Sequence, residues 1–459
     1  MGTFTSIMKK ETLLTKTVFV ATCIGLLPTI VHAQQKPNIL IIYTDDMGIG
    51  DLSCYNNGWS KTPNIDKLAS QGIKFNKYYS AAPVSSPSRV GLTTGMFPLQ
   101  MGINTYLQSR QRNAKCEQYD FLDSNVPTMA DAMKSVGYAS GHFGKWHMGG
   151  GRDVDNAPQI TQYGFDEYVS TWESPDPDPL ITDSDWIWSK NDSIKRWNRS
   201  AYFVDKTLAF LKKHQGEPTF VNFWPDDMHT PWVQGPGVQD KENSWTTPPN
   251  FAAVLKEYDA QIGRLLQGLK DLGLEENTIV IFTSDNGPAP SFQQKRTNNL
   301  RGVKCSLYEG GILMPFMVRW PGKIPAGKVD NQSVICAVDL LPSLGKITGA
   351  KLPSGSNYSG EDMSRALTGT PQTRKKDLMW EFGRNAAFAQ PIPYQKSPHL
   401  AIRRGNMKLL TNSDSTSVEL YDLSKDPQET TNIALKNPEL VKDLQKIVFE
   451  WWNSRPNKK

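Results

Sequence analysis

Short, mostly apolar runs that close on polar residues recur along the first two-thirds of this chain. Asn38-Ile39-Leu40-Ile41-Ile42-Tyr43 runs into Asp45-Asp46, and Tyr138 to Phe143 into Lys145-Trp146-His147. Thr219 to Trp224 leads to His229, and Thr278-Ile279-Val280-Ile281-Phe282 to Asp285-Asn286. Runs of this length read as strands buried on both faces. Helical stretches separate them, Ser200 to His214 among them, so the pattern predicts an α/β fold with a large, mostly parallel sheet flanked by helices. Ligands of such sheets bind outside the carboxyl ends of the strands, where polar residues far apart in sequence can converge.

Beyond roughly residue 370 the pattern changes to short strand-like pieces: Asp377 to Phe382, His399 to Arg403, Lys408 to Thr411 and Val418 to Leu423. A terminal helix follows, with Asn437 as N-cap, Pro438 in its first turn, and Leu440, Val441, Leu444, Ile447, Val448 and Trp451 along one face. The expected organisation is a catalytic α/β domain over 34–370 and a smaller α+β subdomain over 371–459. The Pro- and Asp-rich stretch Ser174 to Asp185 reads as a long excursion of the functional kind.

Residues 1–33 place Lys9, Lys10 and Lys16 before an apolar run from Val18 to Ile30 and a small-x-small site at Val31-His32-Ala33. That is a secretory leader, so the protein is expected to be exported, with the periplasm as its destination. Cys23 lies too early in the run for a lipid-anchor site. No stretch is long enough for a membrane span. The formal net charge is +5, and losing three lysines and Glu11 with the leader lowers it to +3, too mild to imply a nucleic-acid partner. Cys54, Cys116, Cys305 and Cys336 remain without zinc-type spacing, and their pairing is open.

Candidate chemistry concentrates in Ser85-Ser86-Pro87-Ser88-Arg89, continued by Leu92-Thr93-Thr94-Gly95. This run follows the aromatic segment Phe75 to Tyr79 and is placed to open a helix, whose N-terminus suits an anion. An isolated serine there would serve as a cap. Asp45, Asp46, Asp285 and Asn286 offer hard oxygen ligands from two strand ends, which suits calcium or magnesium rather than zinc.

The complete run resembles the nucleophile signature of the formylglycine-dependent type I sulfatases, members of the alkaline phosphatase superfamily. Gly144-Lys145-Trp146-His147, His229-Thr230-Pro231, Lys304 before Tyr308-Glu309-Gly310-Gly311, and Trp320-Pro321-Gly322 resemble further elements of that family. Similarity extends from about Asn38 to Asn432. The resemblance implies an alkaline-phosphatase-like sheet and Ser85 oxidised to formylglycine, whose hydrate attacks sulfur. It implies a divalent ion, calcium ahead of magnesium, held by Asp45, Asp46, Ser85, Asp285 and Asn286. By the same carry-over Arg89 braces the nucleophile and metal, while Lys145 and Lys304 hold the sulfate. His147 becomes the base that releases sulfate, and His229 the acid for the leaving oxygen. Serine at 85 implies maturation by a radical-type enzyme. Leu313 stands where many relatives carry arginine.

The thirteen tryptophans, several of them in expected loops (Trp172, Trp186, Trp188, Trp197 and Trp232), suit stacking on pyranose rings. Trp172, Trp232, Arg384 and His399 are the candidate substrate contacts. The expected substrate is an O-sulfated galactose or N-acetylgalactosamine of a glycan, cleaved from a chain end. Two alternatives stay open: a phosphodiesterase or phosphonate monoester hydrolase of the same superfamily, and a non-catalytic binder of sulfated glycans with Ser85 unconverted.

Overall fold

The computed structural model describes residues 1–3, 36–56, 58–182, 189, 191–235, 246–353 and 356–456. Residues 4–33 of the expected leader, the tryptophans at 186 and 188, and the end of the Ser174 to Asp185 excursion lie outside them. Lys36–Lys459 is one compact unit.

The main sheet is built from β1 (Asn38–Thr44), β2 (Ile73–Tyr79), β3 (Ala139–Gly144), β4 (Glu167–Ser170), β5 (Thr219–Trp224), β6 (Thr278–Ser284), β7 (Leu313–Arg319), β8 (Lys328–Asp330) and β9 (Ile335–Cys336). Its order is β4-β3-β5-β1-β6-β7-β2-β8, with β9 added on β2. All pairings are parallel except those of β7, which runs antiparallel to β6 and β2. The expected mostly parallel sheet is therefore observed.

The centre of the sheet shows why the apolar runs are unbroken. Ile39, Ile41 and Tyr43 of β1 enter one core with Phe220, Trp224, Ile279 and Ile281. Leu40 and Ile42 enter the core on the opposite face with Val221, Phe223, Val280 and Phe282. Helices Pro63–Ser70, Arg199–Lys213 and Pro248–Asp271 cover the second face, and Ser85–Thr94, Met129–Lys134 and Leu340–Thr348 the first. A strand covered on both sides has no polar face to keep.

A second, antiparallel sheet follows: β10 (Leu378–Glu381), β11 (Leu400–Arg404), β12 (Met407–Thr411) and β13 (Glu419–Asp422). One face packs Leu400, Ile402, Leu409 and Leu420 under Leu444 and Val448 of the helix Pro438–Asn453. The other face gives Trp380, Ala401, Leu410 and Tyr421 to the core of the main sheet. The two sheets thus share one hydrophobic interior. Asn437 precedes the last helix without capping it, because its side-chain amide donates instead to the Ile433 carbonyl at 2.9 Å. Cys54, Cys116, Cys305 and Cys336 are all free thiols. Among the described residues no helix is long and apolar enough to cross a membrane.

Candidate active site

Strand register decides which polar residues meet. Thr44 of β1 pairs with Ser284 of β6, so Asp45-Asp46 and Asp285-Asn286 leave the sheet at the same height. Gly144 of β3 pairs with Trp224 of β5, and the Lys145 amide donates to the Trp224 carbonyl at 2.8 Å. Gly144 has φ +130°, and a Cβ there would stand 2.0 Å from that same carbonyl oxygen, so only glycine allows the bend that turns Lys145 inward. Asp46 and His147 hold φ +57° and +53°, uncommon backbone for residues with a Cβ and the kind of local strain that concentrates at functional sites.

The helix Ser85–Thr94 brings the serine to these strand ends. Ser88 shares a 2.9 Å hydrogen bond with the Tyr43 hydroxyl, and Ser86 accepts one from the Leu107 amide, so both sides of the first turn are pinned. Ser85 Oγ donates to Asp45 Oδ1 at 3.1 Å and lies 3.4 Å from Asn286 Oδ1. Arg89 follows one turn later on the same helix face. Its guanidinium is fully buried, donating to Asp285 Oδ2 at 2.7 Å and the Lys145 carbonyl at 3.1 Å, with Asp45 at 3.6 Å. Tyr43 and Trp224 flank it at 5.5 and 5.4 Å.

Positive charge surrounds the carboxylates. Lys145 Nζ donates to Asp45 Oδ2 at 2.8 Å, and Lys304 Nζ sits 2.7 Å from the Asp46 carboxylate. Burial alone would raise Asp45, yet Lys145, His229, Arg89 and Lys304 hold it well below the usual carboxylate range. Asp46 is lowered against its burial by Lys304 and His229. Asp285 goes the other way: burial, then Asp45, push it up to about 7 despite Arg89. Three carboxylates, Asp45, Asp46 and Asp285, are thus crowded together, each with its own cation in Lys145, Lys304 and Arg89.

That crowding, with hard oxygens as the main donors, fits a calcium- or magnesium-type cation. Asp45, Asp46 and His229 each point one ligand atom into a space where the three atoms lie within 4.8 Å of one another. Asp45 and Asp46 belong to the expected set and His229 does not. Asp285 and Asn286 lie in the same cluster: Asp285 accepts from the Asp46 amide and Arg89, the Asn286 amide donates to Asp46 Oδ1 at 2.7 Å, and Asn286 Oδ1 lies 3.4 Å from Ser85 Oγ.

A cavity of about 230 Å³ opens beside Ser85, lined among others by Lys145, His147, His229 and Lys304. His229 Nδ1 donates to the Thr230 carbonyl at 2.6 Å, leaving Nε2 on the cavity side 3.6 Å from Asp46. His147 Nε2 contacts the Leu107 carbonyl at 3.2 Å. Burial pushes His147 down to about 3, Glu173 opposing and Lys145 reinforcing.

The candidate substrate contacts divide. Trp172 does not itself line the cavity, but its ring lies 5.0 Å from the guanidinium of Arg152, which does. The expectation for Trp232 is corrected: it is completely buried, packs on Phe251 and Phe292, and donates to the Met228 carbonyl. Arg384 and His399 are corrected likewise. Arg384 is spent on Glu381, and both ring nitrogens of His399 are engaged by Asn412 and the Ser413 amide, away from the cavity.

Tyr106, Arg152 and Glu173 also line the cavity and went unseen in the sequence. Glu173 follows β4, a fifth strand whose carboxyl end joins the other four. β4 has only four residues, three of them half-buried, so no apolar run announces it.

Residues 37–350 match the sulfatase family model, and 303–452 match the model of the N-sulphoglucosamine sulphohydrolase C-terminal region. An N-acetylgalactosamine-6-O-sulfatase of Bacteroides thetaiotaomicron is 30% identical, the alignment covering 90% of this chain and 93% of the relative. Human arylsulfatase A is 30% identical over 90% of this chain and 87% of its own. Among solved structures, a 6S-sulfatase from work on glycosaminoglycan metabolism by Bacteroides thetaiotaomicron superposes with TM-score 0.74 at 27% identity, covering 91% of this chain and all of the other. A structure solved with a neocarrahexaose shares the fold at TM-score 0.73 and 24% identity, covering 92% of this chain and 94% of the other. The chain belongs to the sulfatase family and is a hydrolase of sulfuric esters.

Proposed function

We propose that this sulfatase removes O-sulfate from a sulfated carbohydrate, with galactose or N-acetylgalactosamine as the sulfated unit, using Ser85 matured to formylglycine beside a calcium ion. The observation that carries the reading is the position of Ser85 Oγ, 3.1 Å from Asp45 and on the wall of a cavity that also presents Lys145, His147, His229 and Lys304. The hydrated aldehyde would supply one hydroxyl to attack sulfur and a second to expel sulfate. Asp45, Asp46, Asp285 and Asn286 would hold the cation, with Ser85 beside it. Lys145 and Lys304 neutralise the sulfate oxygens as charge builds on them. His229 has Nδ1 committed to a backbone carbonyl, so a protonated ring delivers its proton from Nε2 to the departing sugar oxygen.

The carbohydrate assignment is supported by the relatives named for N-acetylgalactosamine sulfate and by the cavity itself. Its volume of about 230 Å³ falls below the roughly 300–1,000 Å³ of ordinary ligand pockets, room for one terminal ring rather than a threaded chain. Export to the periplasm and serine-type radical maturation complete the proposal.

The test is a panel of sulfated saccharides with phosphodiester controls, run on protein coexpressed with a maturation enzyme. Ser85→Ala should abolish turnover. His229→Ala should slow sugar sulfates by roughly 100-fold or more while sparing activated aryl sulfates, whose leaving groups need no acid. Turnover of aryl sulfates alone, preference for phosphodiesters, or an unmodified Ser85 in the native protein would overturn the reading.

A further inference from the structure

Arg403 is a buried cation without a carboxylate of its own. β11 turns Leu400 and Ile402 toward the terminal helix and Ala401 toward the main sheet, so Arg403, two residues beyond Ala401, enters the space between the two sheets and is only 3% exposed. Register sets it directly opposite Lys408 of β12, an unfavourable pairing of like charges. Lys408 is answered by Glu309 at 2.8 Å and Glu429 at 2.9 Å. The buried arginines 89, 196, 199, 296 and 319 each form an ion pair as well, whereas among the described residues Arg403 forms none. Its Nε donates to the Gly405 carbonyl at 2.9 Å and its Nη1 to the Tyr79 hydroxyl, whose own proton goes to Glu309. Glu309 is thus reached only through a hydroxyl and is already shared with Lys408. Nη2 is left without an acceptor among the described residues.

The guanidinium borders a cavity of about 210 Å³ that shares no residue with the Ser85 cavity. The described lining includes Arg374, which Asp339 neutralises, together with Gln332, Thr373 and Asn406, and it holds no carboxylate. The Thr373 hydroxyl and the side-chain amides of Gln332 and Asn406 make no hydrogen bond among the described residues, so they can donate to a guest without adding charge. The positive field is felt nearby: burial and then Arg403 push the Lys77 ammonium down, with Asp330 opposing.

We propose that this cavity is an oxoanion site, in which Arg403 and the surrounding hydroxyl and amide donors bind a sulfate group, either the free ion that the enzyme releases or one carried on a glycan chain. A buried charge is costly unless it is paired, and the anion supplies the missing partner. Guanidinium nitrogens suit the oxygens of an oxoanion, and a tetrahedral anion has further oxygens to accept from donors on other chain segments. The site stands apart from the chemistry at Ser85 and needs neither its maturation nor a metal ion.

Calorimetric titration of the unconverted protein with inorganic sulfate should show binding with Kd below about 1 mM. Crystals soaked in selenate should carry its anomalous signal beside Arg403. Asn406→Glu places a carboxylate on the exposed wall of this cavity, outside the buried network, and should weaken sulfate by roughly tenfold or more, the scale of one hydrogen bond to a charged group. Arg403→Gln should weaken it at least as much; because that change also removes the contacts to Tyr79 and Gly405, Asn406→Glu decides if the arginine variant does not fold. A sulfated oligosaccharide that displaces selenate from this cavity assigns the site to the glycan chain, and displacement by inorganic sulfate alone assigns it to the released product. Selenate seen only in the Ser85 cavity, equal sulfate affinity in wild type and Asn406→Glu, or binding only above about 10 mM, which would mean an adventitious ion only, would overturn the proposal.

Discussion

Replacing Arg89 by glutamine tests the electrostatic account of the site. The guanidinium is fully buried and is a direct partner of Asp285 at 2.7 Å, with Asp45 at 3.6 Å. Removing one member of a buried pair costs about 3–5 kcal/mol, because the charge left behind has lost its solvent and its partner. Asp285 already titrates near 7, so in R89Q it can take up a proton at neutral pH and hold the cost towards the lower end, about 3 kcal/mol. That is a fall of roughly 150-fold in the folding equilibrium. The assay is urea unfolding of the unconverted protein followed by tryptophan fluorescence, in chelator and in calcium. Calcium at about 100 times its Kd should return roughly 2.7 kcal/mol to either protein. If R89Q lies within about 1 kcal/mol of wild type in chelator, or if calcium stabilises neither, the crowded-carboxylate argument is wrong.

Two further predictions concern residues outside the reacting centre. Trp232→Ala should cost about 3–5 kcal/mol by emptying a packed site between Phe251 and Phe292, while the ratio of KM for sugar and aryl sulfates stays unchanged; a selective rise for sugars would restore Trp232 as a substrate contact. Glu429 is buried beside Lys408 and Glu309, and burial, reinforced by Glu309, raises it to about 7 against the opposing pull of Lys408. A carboxyl whose folded value stands above its unfolded one binds its proton more tightly when folded. Its contribution is therefore full below about pH 4.5 and declines as pH rises towards 7. Glu429→Gln should flatten the fall in urea midpoint between pH 5 and 8, and an unchanged slope would refute the assignment.

Much of this protein could be read from its residues. The four apolar runs became β1, β3, β5 and β6 to within a residue or two, since burial on both faces admits no polar alternation. The motifs carried Ser85, Arg89, Lys145, His147, His229 and Lys304, because small, turn-forming and charged residues at set spacing leave a local signature. What the chain order could not contain was the register Thr44 to Ser284 and Gly144 to Trp224, which sets the height at which Asp45, Asp285 and Lys145 leave the sheet. Glu173 stayed hidden because β4 is short and half-exposed. Trp232 and His399 were misplaced because an indole or imidazole has the same composition whether it faces a sugar or seals a core. Local chemistry named the reactive groups, and long-range pairing and packing decided which of them share a cavity, since distance between residues remote in sequence is set only once the sheet has closed.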